Sequence, residues 1–203
     1  MSHQILPDVS RETIERLELY AALLKKWNPS INLVSKASLA NLWSRHILDS
    51  VQIFETAGHP VDQWVDLGSG GGFPGLVMAI MAMETGSPTR VKLVESDARK
   101  CTFLRAVIRE TGARAEVIND RIENVAPLGA DILSARALSD LTTLLGFADR
   151  HLKPAGIALF PKGETWQEEL EDAQAKWCFQ YEIAQSKTET GPVILRISGV
   201  SRV

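Results

Sequence analysis

Apolar residues at Ile14, Leu17, Ala21 and Leu24 recur at three- and four-residue intervals, and Glu12, Glu15, Arg16 and Lys25 fill the positions between them. That period predicts an amphipathic helix beginning after Pro7 and Asp8. Asn28-Pro29-Ser30 is expected to stop it, because proline lacks the amide donor and crowds the turn before it. A second helical pattern runs from Ser38 through Leu42, Ile47, Val51 and Phe54 until Gly58 and Pro60. Residues 1–60 therefore read as an N-terminal helical cap.

From Trp64 the pattern changes to short apolar runs alternating with helical stretches. Strands are predicted at 64–67, 91–95, 115–118, 131–134 and 156–160, and helices at 75–83, 97–111, 138–150 and 164–176. Such alternation builds a mostly parallel sheet with helices on both faces, so residues 61–203 read as a doubly wound, Rossmann-like α/β core. The end differs. Residues 179–183 and 193–197 flank Thr190-Gly191-Pro192 and predict an antiparallel hairpin closing one sheet edge.

Composition narrows the class. A chain of 203 residues, 45% hydrophobic and 23% charged, suits one such unit, expected to work as a monomer. Cys101 and Cys178 are too few for a disulfide framework and too far apart for a close metal or redox pair, which favours a reducing, cytoplasmic setting without a metal site. The polar start at Ser2, His3 and Gln4 does not resemble a signal peptide, and no run reaches the length of a membrane span. A net charge of -3 lacks the basic excess of most nucleic-acid binders, so any RNA contact must be local.

The strongest chemical signal is Asp66-Leu67-Gly68-Ser69-Gly70-Gly71-Gly72-Phe73-Pro74-Gly75, between the first strand and first helix of the alternating region. Glycines there permit positive φ and close ligand approach, and Pro74 suits the start of a helix. Ligands bind above the carboxyl ends of such strands. A dinucleotide fingerprint needs glycine at the sixth position counted from Gly68, where Phe73 stands, and no Lys-Ser or Lys-Thr pair follows to make a P-loop. Acidic residues enter the turn at Asp66 and end the second strand at Glu95. Carboxylates suit hydroxyls and cations better than phosphates, so a nucleoside with an amino group fits, and S-adenosylmethionine is such a ligand.

The chain resembles the glucose-inhibited division protein B family of small-subunit ribosomal RNA methyltransferases over nearly its whole length. Before the turn, the likeness rests on Trp27-Asn28, Asn32-Leu33-Val34-Ser35 and Arg45-His46-Ile47-Leu48-Asp49-Ser50. After it come Lys100 with Phe103-Leu104, Arg121-Ile122-Glu123, Ser134-Ala135-Arg136-Ala137 and Pro161-Lys162-Gly163. The resemblance implies a class I fold and transfer of a methyl group from S-adenosylmethionine to guanine N7 in 16S ribosomal RNA. It also implies cofactor contacts at Gly68, Phe73, Ile122, Glu123 and Arg136, to which fold analogy adds Asp66, Gly70 and Glu95. Gly71 and Gly72 make the turn richer in glycine than the family pattern needs.

Guanine N7 has a lone pair and no proton, so attack on a sulfonium methyl needs no general base, and no catalytic residue is assigned. Alignment of the reactants can lower the barrier by roughly 7–11 kcal/mol. Arg136 and Lys162 are candidate substrate contacts, because cations read the O6 side of guanine; their alternatives are a structural ion pair and a solvated lysine. Glu95 and Glu123 could be plain surface carboxylates, and Arg45, His46 and Asp49 either orient the cap or touch RNA. Basic residues at Arg90, Lys92, Arg99, Lys100, Arg105, Arg109, Arg114 and Arg121 are available for phosphates, while Glu164, Glu168, Glu169, Glu171 and Asp172 are expected to face away from RNA. The implied partner is the small ribosomal subunit or its precursor. Competing readings are a methyltransferase for another RNA, a protein or a small molecule, an NAD-linked oxidoreductase, and a non-catalytic nucleotide-binding or ribosome-interaction module. Gly68→Val is expected to abolish S-adenosylmethionine binding with the fold largely kept; parallel calorimetry with that ligand, NAD and ATP checks it, and undiminished affinity removes the assignment.

Overall fold

The computed structural model describes residues 6, 8–58, 60–188 and 190–203; Ser2, His3, Gln4 and Pro7, named above for the polar start and the approach to the first helix, lie outside the described residues. The first helix, α1 (Arg11–Ile31), opens on Ser10, whose hydroxyl accepts the Thr13 amide, and buries Ile14, Leu17, Tyr20 and Leu24. It does not stop at Asn28-Pro29-Ser30. Pro29 is exposed, so the donor it lacks is missing only on the water-facing side, and the helix ends where Asn32 turns left-handed and its amide reaches Asn28 O. Asn28 then pins the chain, exchanging hydrogen bonds with both Val34 backbone groups.

The second expected helix divides into three pieces: α2 (Lys36–Ala40), a π-helical turn over Trp43–Leu48 and α3 (Asp49–Ala57). The π turn carries His46 and Ile47 inward, a local rewinding often found at functional sites.

The core follows the expected alternation: β1 (Gln63–Leu67), α4 (Gly75–Thr85), β2 (Arg90–Val94), α5 (Ala98–Thr111), β3 (Glu116–Ile118), β4 (Ala130–Ala135), α6 (Leu141–His151), β5 (Leu152–Lys162), α7 (Trp166–Gln174), β6 (Trp177–Gln185) and β7 (Val193–Arg202). The sheet runs β3-β2-β1-β4-β5-β7-β6, with β1 to β5 parallel and β7 antiparallel to both neighbours. Side chains alternate by face along β1. Trp64 packs on the α1, α4 and α5 side, Val65 and Leu67 on the α6 and α7 side, and Asp66 takes the same face as Trp64.

The helix α4 is apolar on all sides, with Leu76 to Met81 buried throughout. A helix of that kind needs cover on both flanks, and α1 and α3 supply it opposite the sheet, so the N-terminal helices share a hydrophobic core with β1, α4 and α5.

Register then makes the site. Leu67 pairs with Val94 on one side and Ala135 on the other, so Gly68, Glu95 and Arg136 leave the ends of β1, β2 and β4 side by side. This is the point at which the strand order reverses, where open α/β sheets bind ligands. Tyr20 from α1 reaches this point too, its buried hydroxyl donating to Gly71 O at 2.5 Å. Tyr20→Phe leaves that carbonyl without its donor and should cost about 1–3 kcal/mol, read as a lower urea midpoint at unchanged slope.

Candidate active site

Three glycines of the turn have positive φ: Gly68 at 64°, Gly70 at 54° and Gly72 at 95°. Packing constrains the turn as well. A Cβ at Gly71 would sit 3.2 Å from Leu33 O, one at Gly72 2.7 Å from the Tyr20 hydroxyl, and one at Gly75 2.7 Å from Asp66 Oδ2. The glycine excess is thus imposed by α1, its following loop and β1 pressing on the turn. Gly68 is constrained as well, since a Cβ there would meet Leu138 Cδ1 at 2.6 Å; Gly68→Val therefore strains the turn besides filling ligand space.

Two carboxylates hold the turn. Asp66 is 1% exposed and accepts from the Ser134 hydroxyl at 2.7 Å and the Gly75 amide at 3.2 Å. Its position at the amino end of α4 favours negative charge, yet burial dominates and pushes its pKa up to about 6. Glu95 accepts from the Gly70 amide and the Asp97 amide, both at 2.8 Å, tying the turn to the start of α5.

Beside the turn lies a cleft of about 440 Å³ whose walls include Gly68, Gly70, Glu95, Ile122 and Glu123. Those five expected positions come together. Asp66 lies beneath the turn, outside the cleft walls, and so does Phe73. The Phe73 ring stacks between Tyr20 (5.1 Å) and His46 (4.7 Å), with the Arg136 guanidinium 5.9 Å from its centroid. Lys100, Asp120 and Leu138 also line the cleft; Asp120 and Leu138 escaped the sequence reading, and Lys100 was noted there only as a family match and a phosphate contact. Asp120 had a usable signal: it follows the third strand two residues before Ile122.

Arg136 and Lys162 line a second cavity of about 370 Å³, which shares Ala137 and Ser139 with the cleft. Lys162 is neither a solvated lysine nor an available cation. Its ammonium is buried and donates to Glu169 at 2.7 Å and Ser139 O at 3.0 Å. Glu169 therefore turns inward, against the expectation that the acidic helix faces away, and also accepts the Leu141 amide at 2.8 Å. Together they clamp the β4–α6 loop to α7.

His46 is 6% exposed, and its Nδ1 lies against Arg136 Nη2. A guanidinium only donates, so Nδ1 must accept and the imidazole is neutral. Burial, with Arg136 and Arg45 nearby, lowers its pKa to about 3. Elsewhere, Arg90, Lys92, Arg99, Arg109 and Arg121 each pair with a neighbouring carboxylate, so the stretch expected to offer cations to phosphate is largely balanced locally.

The cleft suits a sulfonium nucleoside. Glu95, Asp120 and Glu123 offer acceptors for hydroxyl and amino groups and would repel a pyrophosphate, and at Gly70 even an added Cβ would meet only Gly68 O, at 3.7 Å.

The sheet order, the glycine turn after β1 and the acid after β2 define a Rossmann-like S-adenosylmethionine methyltransferase fold. Solved structures with this fold include the ribosomal protein L11 methylase of Lactobacillus delbrueckii subsp. bulgaricus (19% identity, TM-score 0.58, 73% of this chain and 75% of that one). Another is a mutant of MtNAS in complex with S-adenosylmethionine (15% identity, TM-score 0.61, 97% and 82%). The family model GidB, rRNA small subunit methyltransferase G, matches residues 13–193, and the chain belongs to that family. A relative from Ruegeria pomeroyi, named ribosomal RNA small subunit methyltransferase G, is 59% identical over 97% of this chain and 96% of its own length.

Asp66 gives the site a pH signature. Its folded pKa of about 6 lies above the ordinary 3.8, so between those values the folded state holds a proton that the unfolded chain lacks. Its contribution to stability falls as pH rises through that window and is constant outside it. Asp66→Asn should remove the slope, so that the variant gains on the wild type by about 2 kcal/mol from pH 4 to pH 6, measured by urea unfolding at each pH.

Proposed function

We propose that the protein transfers a methyl group from S-adenosylmethionine to N7 of a guanine in 16S ribosomal RNA, in the cytoplasmic small subunit or its precursor. The observation that carries this reading is the pair of adjoining cavities, one acidic and glycine-floored, the other walled by Arg136, in a chain of the rRNA small subunit methyltransferase G family. Gly68, Gly70, Glu95, Ile122 and Glu123 hold the cofactor, which supplies a methyl group on a positively charged sulfur. Asp66 and Phe73 act from beneath, fixing the turn. Arg136 stands in the substrate cavity and donates to O6, leaving N7 without a donor.

The N7 lone pair forms the new bond to the methyl carbon as the carbon–sulfur bond breaks, and the positive charge passes to the base. No proton moves in that step, so the chain's task is alignment within a polar shell. Lys162 contributes by holding Ser139 and the β4–α6 loop against α7.

The reading is tested with labelled cofactor and stripped 30S particles from a strain lacking the protein, followed by mass mapping of the modified nucleotide. Label in one 16S guanine at N7 is the expected result; label only in a protein or small molecule would remove the RNA assignment. Arg136→Ala should lower kcat/KM for those particles about ten- to hundredfold, with cofactor affinity by calorimetry nearly unchanged.

A further inference from the structure

Around the edge of guanine the order is N7, O6, N1–H, then the N2 amino group: two acceptors followed by two donors. The walls of the second cavity carry complementary chemistry. They include Ala137 and Ser139, which are shared with the cofactor cleft, and the Arg136 guanidinium. Arg136 touches His46, and three residues on, at the start of α3, the cavity wall carries Asp49. The Asp49 amide bonds to His46 O, so the two residues lie one above the other along the helix. The cavity thus joins an opening onto the cofactor cleft, a donor and an acceptor-only carboxylate.

Glu169, the other carboxylate in this wall, holds Lys162 and the Leu141 amide. Asp49 receives the Thr188 hydroxyl on Oδ1, and an ionised carboxylate can accept about four hydrogen bonds. The cavity volume, about 370 Å³, falls within the range that encloses one small aromatic ligand, and Ile53, Leu144, Pro161 and Val193 give it apolar walls for a ring. Enzymes that modify a base inside structured nucleic acid commonly extrude it into such a pocket and read its Watson–Crick edge.

Given a guanine attacked at N7, as proposed above, we infer that this cavity receives the extruded base and that Asp49 selects guanine over adenine by accepting from N1–H and the N2 amino group. Adenine presents a bare N1 lone pair at that place, which a carboxylate repels. The contact also strengthens during the reaction. As N7 becomes cationic, N1–H becomes more acidic, so its hydrogen bond to Asp49 tightens in the transition state and acts on kcat as well as on KM.

The test is a cycle of two enzymes against two substrates: wild type and Asp49→Ala, each with 30S particles carrying guanosine or inosine at the target position. Inosine keeps N7, O6 and N1–H but lacks the N2 amino group, and its lower intrinsic reactivity at N7 affects both enzymes equally. The wild type should prefer guanosine over inosine by more than about tenfold beyond the preference shown by Asp49→Ala. Loss of the Thr188 contact alone would slow the variant on both substrates by one factor and leave the ratios equal, which overturns the inference. Equal ratios from wild type and variant for any reason do the same, and wild-type failure to methylate the guanosine particles sinks the guanine reading itself. Asp49→Asn, with cofactor affinity measured beside it, repeats the cycle should the alanine variant not fold.

Discussion

A single buried carboxylate sets the geometry on which the rest depends. Asp66 leaves β1 on the face that carries α4, where it receives the Gly75 amide and the Ser134 hydroxyl. Ser134 in turn accepts from the Trp64 indole at 2.9 Å, so β1, β4 and the amino end of α4 meet in one hydrogen-bonded unit. Without it the strand ends could still pair, but the turn would lose its tie to β4 and to the start of α4. The cost is visible in the raised pKa: the carboxylate is held where its charge is poorly solvated, and only the donors aimed at it keep it useful.

From that unit a second line of contact runs across the site. The Tyr20 hydroxyl is on Gly71 O, its ring on Phe73, Phe73 on His46, and His46 on Arg136. The N-terminal helices, the cofactor turn and the substrate side are thus mechanically continuous. A neutral imidazole is required for this, because a protonated one would set two cations against each other; burial of His46 secures it through the neutral pH range. The π turn places that ring, since the wider winding of Trp43–Leu48 is what brings His46 and Ile47 to the buried side together.

Most of the architecture was legible because the parallel strands are buried on both faces and read as unbroken apolar runs. What escaped was whatever surface exposure hid. Strand β5 begins at Leu152 instead of near Gly156, but Lys153, Pro154 and Ala155 are exposed and carry no strand signal. Helix α1 outruns Pro29 because the missing donor faces water, and the π turn has no period of its own within a six-residue stretch. At the site, the glycine turn and Glu95 stood out by their places after strands, whereas Ile122 and Glu123 were named only through the family resemblance. Asp66 and Phe73 were readable as special but not as lying below the turn, since period-two alternation separates faces only when the register is known. Lys162 was read as a substrate contact or a solvated lysine, and its buried pairing escaped because its partner Glu169 sits in a helix whose composition argues for solvent.

The junction between the two cavities explains one residue that carries no reactive group of its own. Ala137 has a φ of 50°, a left-handed conformation that costs a non-glycine residue roughly 1–2 kcal/mol. Glycine would relieve that strain but would also free the backbone beside Arg136, widening the range of directions in which the guanidinium can point. A residue larger than alanine would carry side-chain bulk into the wall that cleft and cavity share. Alanine keeps the passage open and the loop stiff, and the Lys162–Glu169 clamp on Ser139 and Leu141, two and four residues further on, supplies the fixed anchorage that can hold such a strained turn. The buried ion pair and the strained alanine are therefore two parts of one device, which keeps the cavity beside Arg136 in register with the glycine-floored cleft.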